Sequence, residues 1–182
     1  MGQFPRFALI SILTFAFAPA FGGEPQPLSP ELQLLDRGVG KWIYHGRELQ
    51  TAYSKAGKWT WEEDCGWSAN RIYLVCSFDM RWPEGPDHSV SLTTYNMLDK
   101  AYWHYEIIDD NKGDKPVVSR MSIVGDEWTE ISGGAEVNGK TAPHFKVTYR
   151  YASPTRVTVK FEMSKDGTHW TTLGDGEGMR RS

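Results

Sequence analysis

From Trp42 to Arg181 the chain alternates apolar and polar residues with a period of two, and no helical periodicity interrupts it. "KWTWEEDCGW" (58–67) sets Trp59, Trp61, Cys65 and Trp67 on one face and Lys58, Thr60, Glu62 and Asp64 on the other. "RIYLVCSFDMRW" (71–82) gathers Ile72, Leu74, Cys76, Phe78, Met80 and Trp82 in the same way. A hairpin through a two-residue turn at Asn70-Arg71 brings Cys65 opposite Cys76, Trp67 opposite Leu74, Trp61 opposite Met80 and Trp59 opposite Trp82. A slip of one residue would turn every one of these side chains to the wrong face.

The pattern continues to the end of the chain. "SVSLTTYNM" and "AYWHYEIID" flank Leu98-Asp99-Lys100, and "PVVSRMSIVG" and "EWTEIS" flank Gly125-Asp126. "HFKVTYRYAS" aligns Phe145, Val147, Tyr149 and Tyr151, while "RVTVKFEM" aligns Val157, Val159, Phe161 and Met163. "SKDGTHW" then forms a turn before a last strand, "TTLGDGEGMRR". Strands joined by short turns, without intervening helices, give an antiparallel meander of nine or ten strands. So long a meander exposes two edges unless it closes. The expected fold is therefore all-β, a closed up-and-down barrel of 8–10 strands preceded by a short helix.

The helix is read from "SPELQLLDRGVG" (29–40): Ser29 caps, Pro30 fits a first helical position, Leu32 and Leu35 share a side, and Gly38 ends it. "GVGKW" (38–42) follows. As an ordinary turn, it stops the helix and begins a strand with a core tryptophan. If the barrel closes, Trp42 on the first strand meets Arg180 or Arg181 on the last, with Arg180 the expected partner and its guanidinium over the indole.

Gly40-Lys41-Trp42 with a terminal-strand arginine resembles the Gly-x-Trp and arginine pattern of the calycin barrels, which include lipocalins and fatty-acid-binding proteins. More specifically, residues 31–181 resemble the bacterial domain-of-unknown-function family 1579. The resemblance rests on Leu32, Leu35, Gly40 and Trp42; on Tyr95, Tyr102, Tyr105 and Gly113; and on Glu162, Ser164, Asp166, Gly167 and Trp170. It implies a lipocalin-like barrel and no established activity. The cysteine pair and its surrounding tryptophans depart from the pattern.

The first twenty residues read as a secretory signal peptide: a short basic start at Arg6, the apolar "FALISILTFAFA", and Ala18-Pro19-Ala20 for cleavage. The apolar stretch is shorter than a typical membrane span. Residues 21–30 are a Pro/Gly-rich linker and 31–182 the barrel domain. The expected location is the periplasm or the exterior, with no integral membrane segment after cleavage. In such a compartment Cys65 and Cys76, the only cysteines, are expected to form a disulfide. Loss of Arg6, the only charge before Glu24, takes the formal charge from −3 to −4, and this mild acidity argues against nucleic acid or an anionic membrane as partner.

No catalytic or metal-binding motif is present, and neither a cofactor nor enzymatic activity is expected. Tyr102, His104 and Glu106 share one strand face. Because Trp103, Tyr105 and Ile107 opposite them are more apolar, the polar row is expected to face water. The competing readings are a polar cluster inside the barrel, or an axial haem ligand with a supporting carboxylate. Asp109, Asp110, Asn111 and Asp114 lack the register of a calcium loop and read as a solvated turn. Arg120, Glu130 and Arg150 lie mid-strand, facing either water or a polar cavity, and Arg150 is expected to face away from Tyr149 and Tyr151.

The expected function is noncovalent binding of a small apolar or amphipathic ligand in the barrel, against Trp61, Phe78, Met80 and Trp103. The alternatives are a carbohydrate-binding β-sandwich with exposed stacking tryptophans, and a structural envelope protein with a filled barrel.

Overall fold

The computed structural model describes residues 27–109, 116–134, 136–137, 140–141 and 143–181. The expected signal peptide and the acidic loop from Asp110 to Asp114 lie outside the described residues. The strands are β1 (Gly40–Glu48), β2 (Gly57–Trp67), β3 (Leu74–Trp82), β4 (Gly85–Asn96), β5 (Ala101–Asp109) and β6 (Val117–Val124). They continue with β7 (Glu127–Ser132), the short β8 (Glu136–Val137) and β9 (Lys140–Thr141), β10 (His144–Ser153), β11 (Arg156–Ser164) and β12 (Thr171–Arg181).

Ten of these strands form one closed antiparallel barrel, in which β7 pairs with β10 and β1 pairs with β12. The two remaining strands, β8 and β9, form a separate ribbon between β7 and β10. The seam is continuous from Lys41↔Arg181 to Glu48↔Gly174. Closure removes both sheet edges, which settles the meander reading in favour of a barrel.

The tryptophan-rich hairpin has the expected register: Cys65↔Cys76, Trp67↔Leu74 and Trp61↔Met80 are direct partners. Cys65 and Cys76 are joined as a disulfide. The turn is wider than two residues, since β2 ends at Trp67 and β3 starts at Leu74. Ser68 and Asn70 side chains organise the connection, with Arg71 at positive φ, and Ile72 is left exposed rather than inward.

One end of the barrel is plugged. Helix α1 (Pro30–Gln33), capped by the Ser29 hydroxyl, runs into a 3-10 turn over Leu34–Arg37 that buries Leu35 completely. Tyr102 donates to the Glu31 carbonyl, the Trp67 indole donates to Asp36, and Arg37 pairs with Asp126. These bonds tie the plug to β2, β5 and the β6–β7 turn. No helix among the described residues is long and apolar enough to cross a membrane.

The seam side of the interior is filled with rings. Tyr44 and Trp61 approach with centroids 4.3 Å apart, and Trp59 contacts Trp61, Trp82 and Phe161. β12 makes room for them: a Cβ on Gly176 would lie 2.5 Å from the Trp59 ring, and one on Gly178 would lie 2.4 Å from the Tyr44 ring.

Candidate functional site

The wall opposite the seam is built the other way round. On β4 the inward residues are Ser89, Ser91 and Thr93, all buried, while Val90 and Leu92 point outward and are exposed. On β5, Tyr102 is buried, His104 and Glu106 belong to the same inward row, and Tyr105 and Ile107 are exposed. Ser119 on β6 is buried and Val118 is exposed. Cross-strand pairs Val90↔Ile107, Leu92↔Tyr105 and Tyr105↔Val118 make the exposed apolar residues one continuous strip.

This corrects two expectations. His104 and Glu106 face the interior rather than water. Trp103 faces outward, where its indole donates to Asp99 in the turn before β5, and it does not line the interior cavity. The more apolar face of β5 is the outer one, so the rule that sends apolar faces inward fails on this strand. Of the mid-strand charges, Glu130 faces inward and Arg120 is exposed, while Arg150 is exposed as expected, paired with Glu127.

Between the two walls lies a cavity of about 360 Å³. Trp61, Phe78, Met80, Trp82, Phe145 and Phe161 form its aromatic and apolar side, with Ile108, Val117, Val147 and Tyr149 completing it. Three of the four expected ligand-contact residues, Trp61, Phe78 and Met80, therefore lie together here. The polar side consists of Asp87, His104, Glu106, Glu130 and Ser132.

The polar groups are held from several strands. Thr93 Oγ1 lies 2.9 Å from His104 Nδ1, leaving Nε2 directed at Glu130, 3.8 Å away. Ser89 donates to Glu106 over 2.6 Å. Burial raises the Glu106 carboxyl above its ordinary range; Ser89 and His104 oppose the shift, and the charges of Glu130 and Asp87 add to it. Glu63 faces inward between Trp61 and Cys65, accepting from the Trp61 indole over 3.2 Å. Burial pushes its carboxyl up to about 7, against hydrogen bonds from Tyr44 and Trp61 and with repulsion from Glu106 and Glu130. Burial also raises the Tyr44 and Tyr149 phenols, so both remain neutral donors.

Glu63, Cys65 and Cys76 bring a carboxylate and two sulfurs within metal-ligand distance, but the disulfide leaves neither sulfur as a thiolate. Sequence reasoning missed Glu63 altogether. Its signal was available: it is the one acid in the row Trp59, Trp61, Cys65, Trp67, where a charge has no solvent-facing role.

No family model matches the chain, and no curated protein does. Among solved structures, the chain is similar to Rv2717c from M. tuberculosis, with a TM-score of 0.59 and 14% identity over 86% of this chain and 100% of that one. At that identity the likeness establishes a shared fold and nothing about ligand or activity.

Proposed function

We propose that this chain is an exported binding protein that takes a small amphipathic ligand into its barrel, and that it belongs to domain-of-unknown-function family 1579. The observation supporting the binding role is the two-sided cavity. An apolar half of six large side chains faces a polar half of His104, Glu106 and Glu130. A filled structural barrel has no use for buried acids that cost desolvation energy. A stacking platform for carbohydrate needs exposed indoles, whereas Trp42, Trp59, Trp61 and Trp128 are buried. Export is supported by the disulfide and by the first twenty residues; the mature chain then begins at Phe21 or Gly23.

The test is titration with N-phenyl-1-naphthylamine, a neutral amphipathic fluorophore, with excitation through the tryptophans. Saturable energy transfer that falls strongly in Phe78→Glu supports the reading. No transfer, or transfer unchanged by that substitution, removes it. A second reading, an enzyme using His104 with Glu106 or Glu130 as an acid–base pair, rests on their convergence in the cavity. Chemical conversion of a bound ligand would select it.

A further inference from the structure

Among the described residues, the ionisable groups of the cavity are mostly acids. Asp87, Glu106 and Glu130 line it and Glu63 stands behind Trp61, while no lysine or arginine is among the described lining residues. The one basic group among them is His104, placed between Glu106 and Glu130. A barrel that binds fatty acids or other anions needs the opposite arrangement, a buried cation to meet the carboxylate. Facing the acids are the π-surfaces of Trp61, Phe78, Phe145 and Phe161, whose negative ring faces attract cations as well as apolar groups.

Resting on the ligand-binding reading above, we infer that the ligand is an organic cation: a small amine or ammonium compound whose apolar body lies against Trp61, Phe78 and Phe161 and whose charged nitrogen lies among Glu106, Glu130 and His104. Such a charge stabilises the ionised form of carboxyls that burial and mutual repulsion otherwise push toward protonation. A carboxylate ligand would add a like charge to the same group.

Three probes of one shape separate charge from apolar fit: 1-naphthylmethylammonium, 1-naphthalenemethanol and 1-naphthoate. Each is titrated calorimetrically into the purified protein at about pH 7.5, where an aliphatic amine is protonated. The ammonium should bind about tenfold or more tighter than the alcohol, and the carboxylate weakest. The double variant Glu106→Gln/Glu130→Gln should remove most of that preference, and a parent-like near-ultraviolet circular dichroism spectrum certifies that it is folded. Glu62→Gln, on the outer face of β2, should keep the preference.

An alcohol that binds as well as the ammonium, or a carboxylate that binds best, overturns the cation assignment and leaves the binding protein standing. A preference that survives in the double variant overturns it too, because the charge would then be sensed away from these carboxylates. Failure of all three probes, together with N-phenyl-1-naphthylamine, overturns both readings.

Discussion

Arg180 lies over Trp42 with its guanidinium carbon 5.0 Å from the ring centroid, and the two are direct cross-strand partners at the barrel seam. The same guanidinium donates to the carbonyls of Arg37 and Val39, while the Trp42 indole donates to Gly38. Trp42 and Arg180 thus join three things: the first strand, the last strand and the end of the helical plug. Trp42→Ala should cost about 3–5 kcal/mol, as for a buried aromatic truncated to a cavity. Arg180→Ala should cost about 2 kcal/mol, combining a cation–π contact with charge-assisted bonds to orphan carbonyls. Urea unfolding of both single variants and the double variant should give a coupled cycle. Strictly additive losses would show that the seam closes without this pair.

The second prediction concerns Cys65 and Cys76, which face each other in the hairpin. Their bond closes a short loop (sequence separation 11), so replacing both with alanine should cost about 2–3 kcal/mol through the entropy of the unfolded chain. Thiol titration of denatured, unreduced protein should find no free thiol. Two reactive thiols would remove the disulfide and weaken the argument for export.

What could be read from the sequence divides along the barrel wall. On the seam side, β1, β2, β3, β10 and β11 mostly turn their apolar rows inward; alternation gives the faces of β2, β3, β10 and β11, the paired cysteines fix the hairpin register, and closure of the meander adds the Trp42–Arg180 partnership. On β4 and β5 the outer row is the more apolar, with Val90, Leu92, Tyr105 and Ile107 exposed, whereas β6 turns Val117, Met121 and Ile123 inward beside Ser119. Alternation identifies that two rows exist, but hydrophobicity assigns them inward or outward only where the interior is apolar. The interior here is polar because the cavity is. Hence His104 and Glu106 were expected outside, Trp103 inside, and Glu130 was left open. The part of the sequence that misleads is the part that builds the candidate site.

A third prediction follows from the glycine row of β12. Gly174, Gly176 and Gly178 point inward under the Arg47–Glu48 backbone, Trp59 and Tyr44, and a Cβ at each meets an atom at 2.4–2.5 Å. The limit is space, since none of the three has a positive φ. Gly176→Ala should destabilise the barrel by about 1–3 kcal/mol through overpacking, measured as a lower urea midpoint with unchanged slope. Gly66→Ala, where a Cβ meets nothing within 4 Å, should be close to neutral. Equal effects at the two positions would show that the rings over β12 are loosely packed.

The fourth prediction is a pH dependence set by Glu63. Its carboxyl is raised from an ordinary 4.5 to about 7 in the folded chain, mainly by burial. Between those values the folded state holds a proton that the unfolded state has released, so stability must fall as pH rises across that window. Below about 4.5 both states are protonated and the effect is absent; above about 7 the loss is complete. Its size is at most about 3 kcal/mol, from the shift alone. Glu106 is shifted in the same direction and adds to the slope. Glu162, held low by Lys160 and Lys146, acts only on the acid side, where its contribution is lost as pH falls. Urea midpoints measured from about pH 5 to about pH 8 should therefore decline in the parent chain, and the decline should be shallower in Glu63→Gln. That variant keeps an acceptor for the Trp61 indole, and at about pH 8 it should be the more stable of the two proteins. A parent chain that gains stability over this range, or a Gln variant with an identical slope, would show that Glu63 is ionised and solvated in the folded barrel.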